Sequence, residues 1–164
     1  MKYTTQGGNA NKAGKLFEAN IKGHFVDRGF IFVEPSEVLR GLANGDDLLL
    51  FGDKWYSTQL ACERNLYQAK FKADVFVFEK EHWPNGLIIE CKYQELGGSV
   101  DEKYVFTVMS LKELKHRDTL LILGGNGARN CAVNWMKDQQ DKKGQFRFFG
   151  GSEQFYNWLH KLLK

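Results

Sequence analysis

Ala13, Phe17, Ile21 and Phe25 recur at every fourth position in an otherwise polar segment. That spacing predicts a helix from Lys12 with one apolar face, stopped by Gly29. The preceding residues are small and polar, and 1–11 are expected to be flexible. Phe30–Val33 reads as a short extended piece ended by Glu34-Pro35-Ser36. Glu37–Gly52 is ambiguous, with a small-residue turn at Leu42-Ala43-Asn44-Gly45 and an apolar run from Leu48 to Phe51. Ala73–Phe78 and Leu87–Tyr93 have strand composition, and Trp83-Pro84-Asn85-Gly86 between them is turn chemistry. Beyond Gly97-Gly98, Ser99-Val100-Asp101-Glu102 fits a capping box opening a helix to about Lys115. Thr119–Leu123 predicts a buried strand, Gly124-Gly125-Asn126-Gly127 a turn, Ala128–Lys137 a helix and Phe146–Phe149 a last strand. Ser152 is expected to cap a final helix whose Phe155, Trp158, Leu159 and Leu162 share one face. The order α-β-β-β-α-β-α-β-α predicts an α/β fold, a mixed central sheet flanked by helices.

One strand breaks its own pattern. Leu87, Ile88 and Ile89 are apolar on both faces, as in a strand covered on both sides. Glu90, Lys92 and Gln94 then follow at every second position and project from one face. Paired antiparallel about His82, the two strands set Asp74 opposite Glu90. Two facing acids repel unless a cation lies between them. Lys92 supplies one positive charge, and a divalent metal supplies more. Carboxylate and carbonyl oxygens suit a hard ion such as Mg²⁺, for which Mn²⁺ is a natural substitute. The candidate ligands are Asp74, Glu90, the Cys91 backbone carbonyl and Glu18, an acid beside the apolar stripe of the first helix. In phosphodiester hydrolysis the metal polarises phosphate and activates water. Lys92 orients that water and offsets charge developing at phosphorus. Gln94 hydrogen-bonds backbone or water one step along.

Composition narrows the context without naming the chemistry. The chain has 164 residues, 43% hydrophobic and 14% aromatic, which fits a single folded domain over residues 1–164. A net charge of +3 permits a nucleic-acid partner without demanding one. Cys62, Cys91 and Cys131 form no Cys-x-x-Cys pair, so neither a disulfide framework nor a structural zinc site is indicated. Without an apolar run resembling a signal peptide or a membrane span, the expected location is the cytoplasm, with no membrane partner.

Asp74, a spacer of 15 residues, then Glu90-Cys91-Lys92 resembles the PD-(D/E)XK nuclease superfamily of restriction endonucleases, phage-type nucleases and Holliday-junction resolvases. The helix with Glu18, the hairpin, the following helix and the β-α tail resemble that family's core, leaving Glu37–Asn65 least matched. The resemblance implies a restriction-endonuclease-like fold and a Mg²⁺-dependent DNA endonuclease. It implies that Asp74 and Glu90 bind metal, that Lys92 is the catalytic amine and that Glu18 assists. The residue before Asp74 is Ala73 where the family often has Pro.

Other readings stay open. Glu90 and Lys92 also fit a plain ion pair at a strand end, and Glu18 a solvated acid. Lys70 and Lys72, just before Asp74, are the best phosphate clamp. Lys103 is close enough in sequence to join them, whereas Lys12, Lys15, Lys22 and Arg129 fit a solvated surface. Cys91 faces away from Glu90 as a small core residue, and Trp55, Tyr56 and Trp83 fit packing better than base stacking. Two rival functions remain: a structure-selective resolvase, and a non-catalytic nucleic-acid-binding module of the same fold. One centre cuts one strand, so double-strand cleavage would call on a homodimer, a second subunit or two successive events.

Overall fold

The computed structural model describes residues 6–95 and 101–164. The chain runs α1 (Gln6–Val26), β1 (Ile31–Phe32), α2 (Pro35–Asn44), a 3₁₀ turn (Leu48–Phe51), β2 (Lys54–Arg64), β3 (Lys70–Glu79) and β4 (Trp83–Tyr93). It continues through α3 (Asp101–Glu113), β5 (Asp118–Gly124), α4 (Asn130–Asp138), β6 (Phe146–Phe149) and α5 (Ser152–Leu162). The strands form one six-stranded sheet in the order β1-β2-β3-β4-β5-β6. β2, β3 and β4 are an antiparallel meander, while β1 on β2, β5 on β4 and β6 on β5 are parallel. Parallel neighbours need crossovers, and α2, α3 and α4 supply them. The result is the expected mixed α/β sheet flanked by helices.

Alternation along β3 and β4 divides the interior in two. Phe76, Phe78 and Ile88 pack with Tyr104, Val108 and Leu111 of α3 and Met136 of α4. Val75, Val77, Leu87 and Ile89 pack with Ile21 and Phe25 of α1 and Phe155 and Leu159 of α5. The four-residue spacing in α1 and the apolar face of α5 are therefore the buried faces predicted from sequence. Trp55 lies against both Phe76 and Phe78, with ring centroids 5.5 and 5.7 Å apart. Its indole N–H donates to the Leu48 carbonyl at 2.9 Å, which satisfies the polar tip of a buried ring.

Several expectations are corrected. α1 starts at Gln6, not Lys12, because its first turns carry no apolar stripe for periodicity to detect. α2 and β2 went unassigned. Pro35, taken as the end of an extended piece, is the first residue of α2, where its missing N–H costs nothing. β2 hides because its alternation slips: Trp55 and Leu60 pack on the same side of the sheet, with Gln59 between them at φ 55. Trp83-Pro84-Asn85-Gly86 is not the turn but the irregular start of β4, and the chain reverses at Lys80–His82. Gly86 has φ 86 and lies against the Phe76 ring, where any Cβ would collide. Arg117 braces this stretch by donating to Glu63 of β2 and to the Asn85 carbonyl. α5 has Gly151 as N-cap with no side-chain cap, so Ser152 is its first residue and not its cap. Ser99 and the start of the predicted capping box lie outside the described residues.

Candidate active site

The β3–β4 ladder pairs Val77 with Leu87, Phe76 with Ile88 and Val75 with Ile89. The same offset continued by one residue would set Asp74 opposite Glu90, the pairing expected from the sequence. The recorded ladder ends there, however, and side chains take over from backbone. Asp74 Oδ2 accepts from the Cys91 backbone N–H at 2.8 Å, and Oδ1 accepts from Gln59 Nε2 at 3.1 Å. Alternation slips at this point: Ala73 packs with Phe76 rather than with Val75. Asp74 is thus an edge carboxylate at the gap between two strands rather than a face residue squarely opposite Glu90. A strand residue aims its N–H and C=O to the same side, so the Cys91 carbonyl also points toward β3. The Cys91 side chain goes to the α1/α5 core, as expected.

Glu90 is buried at 8% exposure, on the side of the sheet that carries α3. Its Oε1 accepts from Lys92 Nζ, whereas Oε2 is buried with no hydrogen-bond partner among the described residues. Burial pushes the Glu90 carboxyl up to about 7, Lys92 opposes that shift, and the charges of Asp74 and Glu18 add to it. Lys92 is half-buried; desolvation works against its charge, yet Glu90 and Asp74 together hold its ammonium above the ordinary lysine range. Glu18 on α1 is raised by burial and then by Asp74, with Lys22, Lys92 and Lys15 pulling the other way. Glu18, Asp74, Glu90 and Lys92 therefore lie within electrostatic reach of one another.

Among the described residues no three His, Cys, Asp or Glu side chains converge as a ready metal cage. The donor set still suits a hard cation: edge and buried carboxylates, a backbone carbonyl aimed at the gap, and an orphaned buried oxygen on Glu90.

Gln94 is tied to the protein at every polar atom. Its N–H donates to Gly124 at 3.0 Å, its carbonyl accepts from Gly127 at 2.8 Å and its Nε2 donates to the Gly127 carbonyl at 3.2 Å. Its Oε1 accepts from the Tyr104 hydroxyl. Gly125, at φ 78, permits this contact because a Cβ there would strike the Gln94 carbonyl. The glycine-rich run is thus a strand-to-helix turn that holds the end of β4.

Glu90, Lys92 and Lys103 line one cavity of about 570 Å³ together with Phe71, Tyr67 and Phe106. Lys70 belongs to a neighbouring groove with Arg64 and Glu113, and Lys72 is exposed on β3. The pair proposed as a clamp is therefore split from Lys103. Trp55 and Trp83 are buried core residues. Sequence reasoning missed Gln59, Tyr104 and Tyr67. Gln59 sits in an unrecognised strand, and no spacing rule links Tyr104 to Gln94.

No helix among the described residues is long and apolar enough to cross a membrane. The family model of the PD-(D/E)XK nuclease superfamily domain matches residues 9–157. No curated protein and no solved structure matches the chain. With this match over most of its length, and a six-stranded mixed sheet flanked by helices, the chain belongs to the PD-(D/E)XK nuclease superfamily.

Proposed function

We propose that this member of a nuclease superfamily is a divalent-metal-dependent endonuclease that hydrolyses DNA phosphodiester bonds. The observation that carries the reading is Glu90, a buried carboxylate with one oxygen on Lys92 and the other unpartnered, beside the edge carboxylate of Asp74. An unsatisfied buried acid is costly, and such cost persists where a ligand completes the group. Asp74, Glu90, the Cys91 carbonyl and Glu18 would hold Mg²⁺ or Mn²⁺. Such an ion, when bound, polarises phosphate and lowers the pKa of water. Lys92, kept protonated by Glu90 and Asp74, orients the attacking water and offsets negative charge at phosphorus. Lys103 reaches a phosphate from α3, and Gln94 positions the strand end. One centre cuts one strand, so cleavage of a duplex calls on a second copy, another subunit or two events.

A second reading, a DNA-binding module without chemistry, is favoured by the lack of a three-ligand cluster among the described residues. Supercoiled, linear and branched DNA offered with Mg²⁺, with Mn²⁺ or with chelator separates the two. The proposal expects nicking with metal and none with chelator. Undiminished cleavage in excess chelator sinks the metal mechanism, and binding without cleavage in either metal favours the module. A strong preference for branched DNA identifies a resolvase.

A further inference from the structure

Tyr67 is the most exposed large hydrophobic side chain among the described residues, at 76% exposure. It stands at the tip of the β2–β3 hairpin, and that tip is held rather than loose. Asn65 Oδ1 accepts from the backbone N–H groups of Tyr67 and Ala69 at 2.9 and 3.1 Å. Arg64 donates to the Gln68 carbonyl at 2.7 Å, and Leu66 N–H reaches Ser110 Oγ of α3 at 3.4 Å. Gln68 takes a left-handed φ of 61 to close the turn. The Tyr67 ring lies 5.1 Å from that of Phe106 on α3, at 33°. Both rings line the cavity that contains Glu90, Lys92 and Lys103.

Most of the Tyr67 ring stays exposed although it lies beside Phe106, so a large aromatic surface is left open at the mouth of this cavity. Base stacking suits such a surface, because every nucleobase has a π-face and an exposed tyrosine offers a rigid partner. Acids share the cavity with the lysines, since Glu102 lines it beside Glu90. Charge alone is therefore a weak attraction there, and stacking adds a contribution that does not depend on it. A duplex keeps its internal base faces stacked on each other and offers only those of its terminal pairs. An unpaired base offers a face anywhere along a strand, and Lys92 and Lys103 line the same cavity as Tyr67 to meet its phosphate.

We propose that Tyr67 and Phe106 form a stacking platform for an unpaired base, so that the site takes single-stranded or locally unpaired DNA in preference to continuous duplex. This rests on the nuclease reading of the same cavity. The test uses the full chain in chelator, so that nothing is cut, with three probes of one sequence. These are a single strand carrying 2-aminopurine, a blunt duplex, and a duplex with a labelled single-stranded overhang. Binding should be tighter to the strand and the overhang than to the blunt duplex, with 2-aminopurine fluorescence quenched on binding. Tyr67→Ala should weaken binding to the unpaired probes by roughly tenfold, with a much smaller loss on blunt duplex. Tyr67→Trp should restore both affinity and quenching. Equal losses on all three probes, no loss on any, absent quenching or absent binding would each overturn the platform. Wild-type cleavage of the same probes in Mn²⁺ is measured in parallel. Quenching without any cleavage contradicts the nuclease reading and leaves the platform standing.

Discussion

β4 is held differently on its two sides. Toward β5 its pairing is unbroken from Leu87 with Asp118 to Tyr93 with Gly124. Toward β3 the last recorded pair is Val75 with Ile89, and beyond it the Asp74 carboxylate takes the Cys91 N–H. Glu90, Cys91 and Lys92 are thus fixed by one neighbour and left open to the other. A site that must stabilise developing charge needs that combination, with donors and acceptors that are rigid and not already satisfied by the sheet. On the proposed function the closed side is structural and the open side is chemical. Substitutions on the two should behave differently.

Asp74→Ala strikes the open side hardest. We expect cleavage to fall by on the order of 10³-fold or more, from loss of the metal site. DNA affinity should hold or rise, because a charge that repels phosphate is removed. The fold should survive the loss of the hydrogen bonds from Cys91 and Gln59. Turnover near the wild-type rate would refute the role of Asp74. Lys92→Ala comes next, with an expected rate loss on the order of 10²-fold in single-turnover experiments. An unchanged single-turnover rate would leave Lys92 as a plain ion-pair partner of Glu90.

The open side was the more legible one in the sequence. The β3–β4 register followed from two apolar runs and a short connection, and it brought Asp74 toward Glu90 although the hairpin tip is irregular. The tip itself was misread, because Trp83-Pro84-Asn85-Gly86 has turn composition while Gly86 serves a close approach to Phe76 within a strand. β2 was invisible for a different reason. Ser57 is a polar residue buried in its first half, and the left-handed Gln59 reverses the phase of the second half, so no period of two survives. Tertiary contacts such as Gln59 to Asp74 or Tyr104 to Gln94 leave no trace in local pattern. Glu18 is legible only by its place beside the α1 stripe, and its carboxyl is raised first by burial and then by the Asp74 charge.

Protonation of Glu90 sharpens the contrast at an intermediate scale. Its carboxyl is raised from 4.5 to about 7, so between those values the folded state binds a proton that the unfolded state releases. Metal-free protein should therefore lose stability as pH rises from about 4.5 through 7. Glu90→Gln should flatten that dependence. Thermal melts of the two proteins across this window check it, and equal slopes would contradict the buried, proton-holding carboxyl.

Gln94→Ala should have the smallest effect on chemistry. It removes the side-chain bonds to Tyr104 and the Gly127 carbonyl, leaves the backbone bonds to Gly124 and Gly127, and does not touch the carboxylates. The expected rate loss is a few-fold at most, with a larger share in binding or in the position of the cut. A greater loss in the chemical step than for Lys92→Ala would mean that the cleft opens in the other direction.

Calorimetric titration of Mn²⁺ into wild type, Asp74→Ala and Glu90→Gln tests most directly whether the open side of β4 is a metal site. Wild type should bind Mn²⁺ more tightly at pH 8 than at pH 6, because a proton on Glu90 competes with the metal. Both variants should lose that binding while their far-ultraviolet circular dichroism stays as in wild type. Mn²⁺ affinity unchanged in both folded variants would place the metal elsewhere and contradict the assignment.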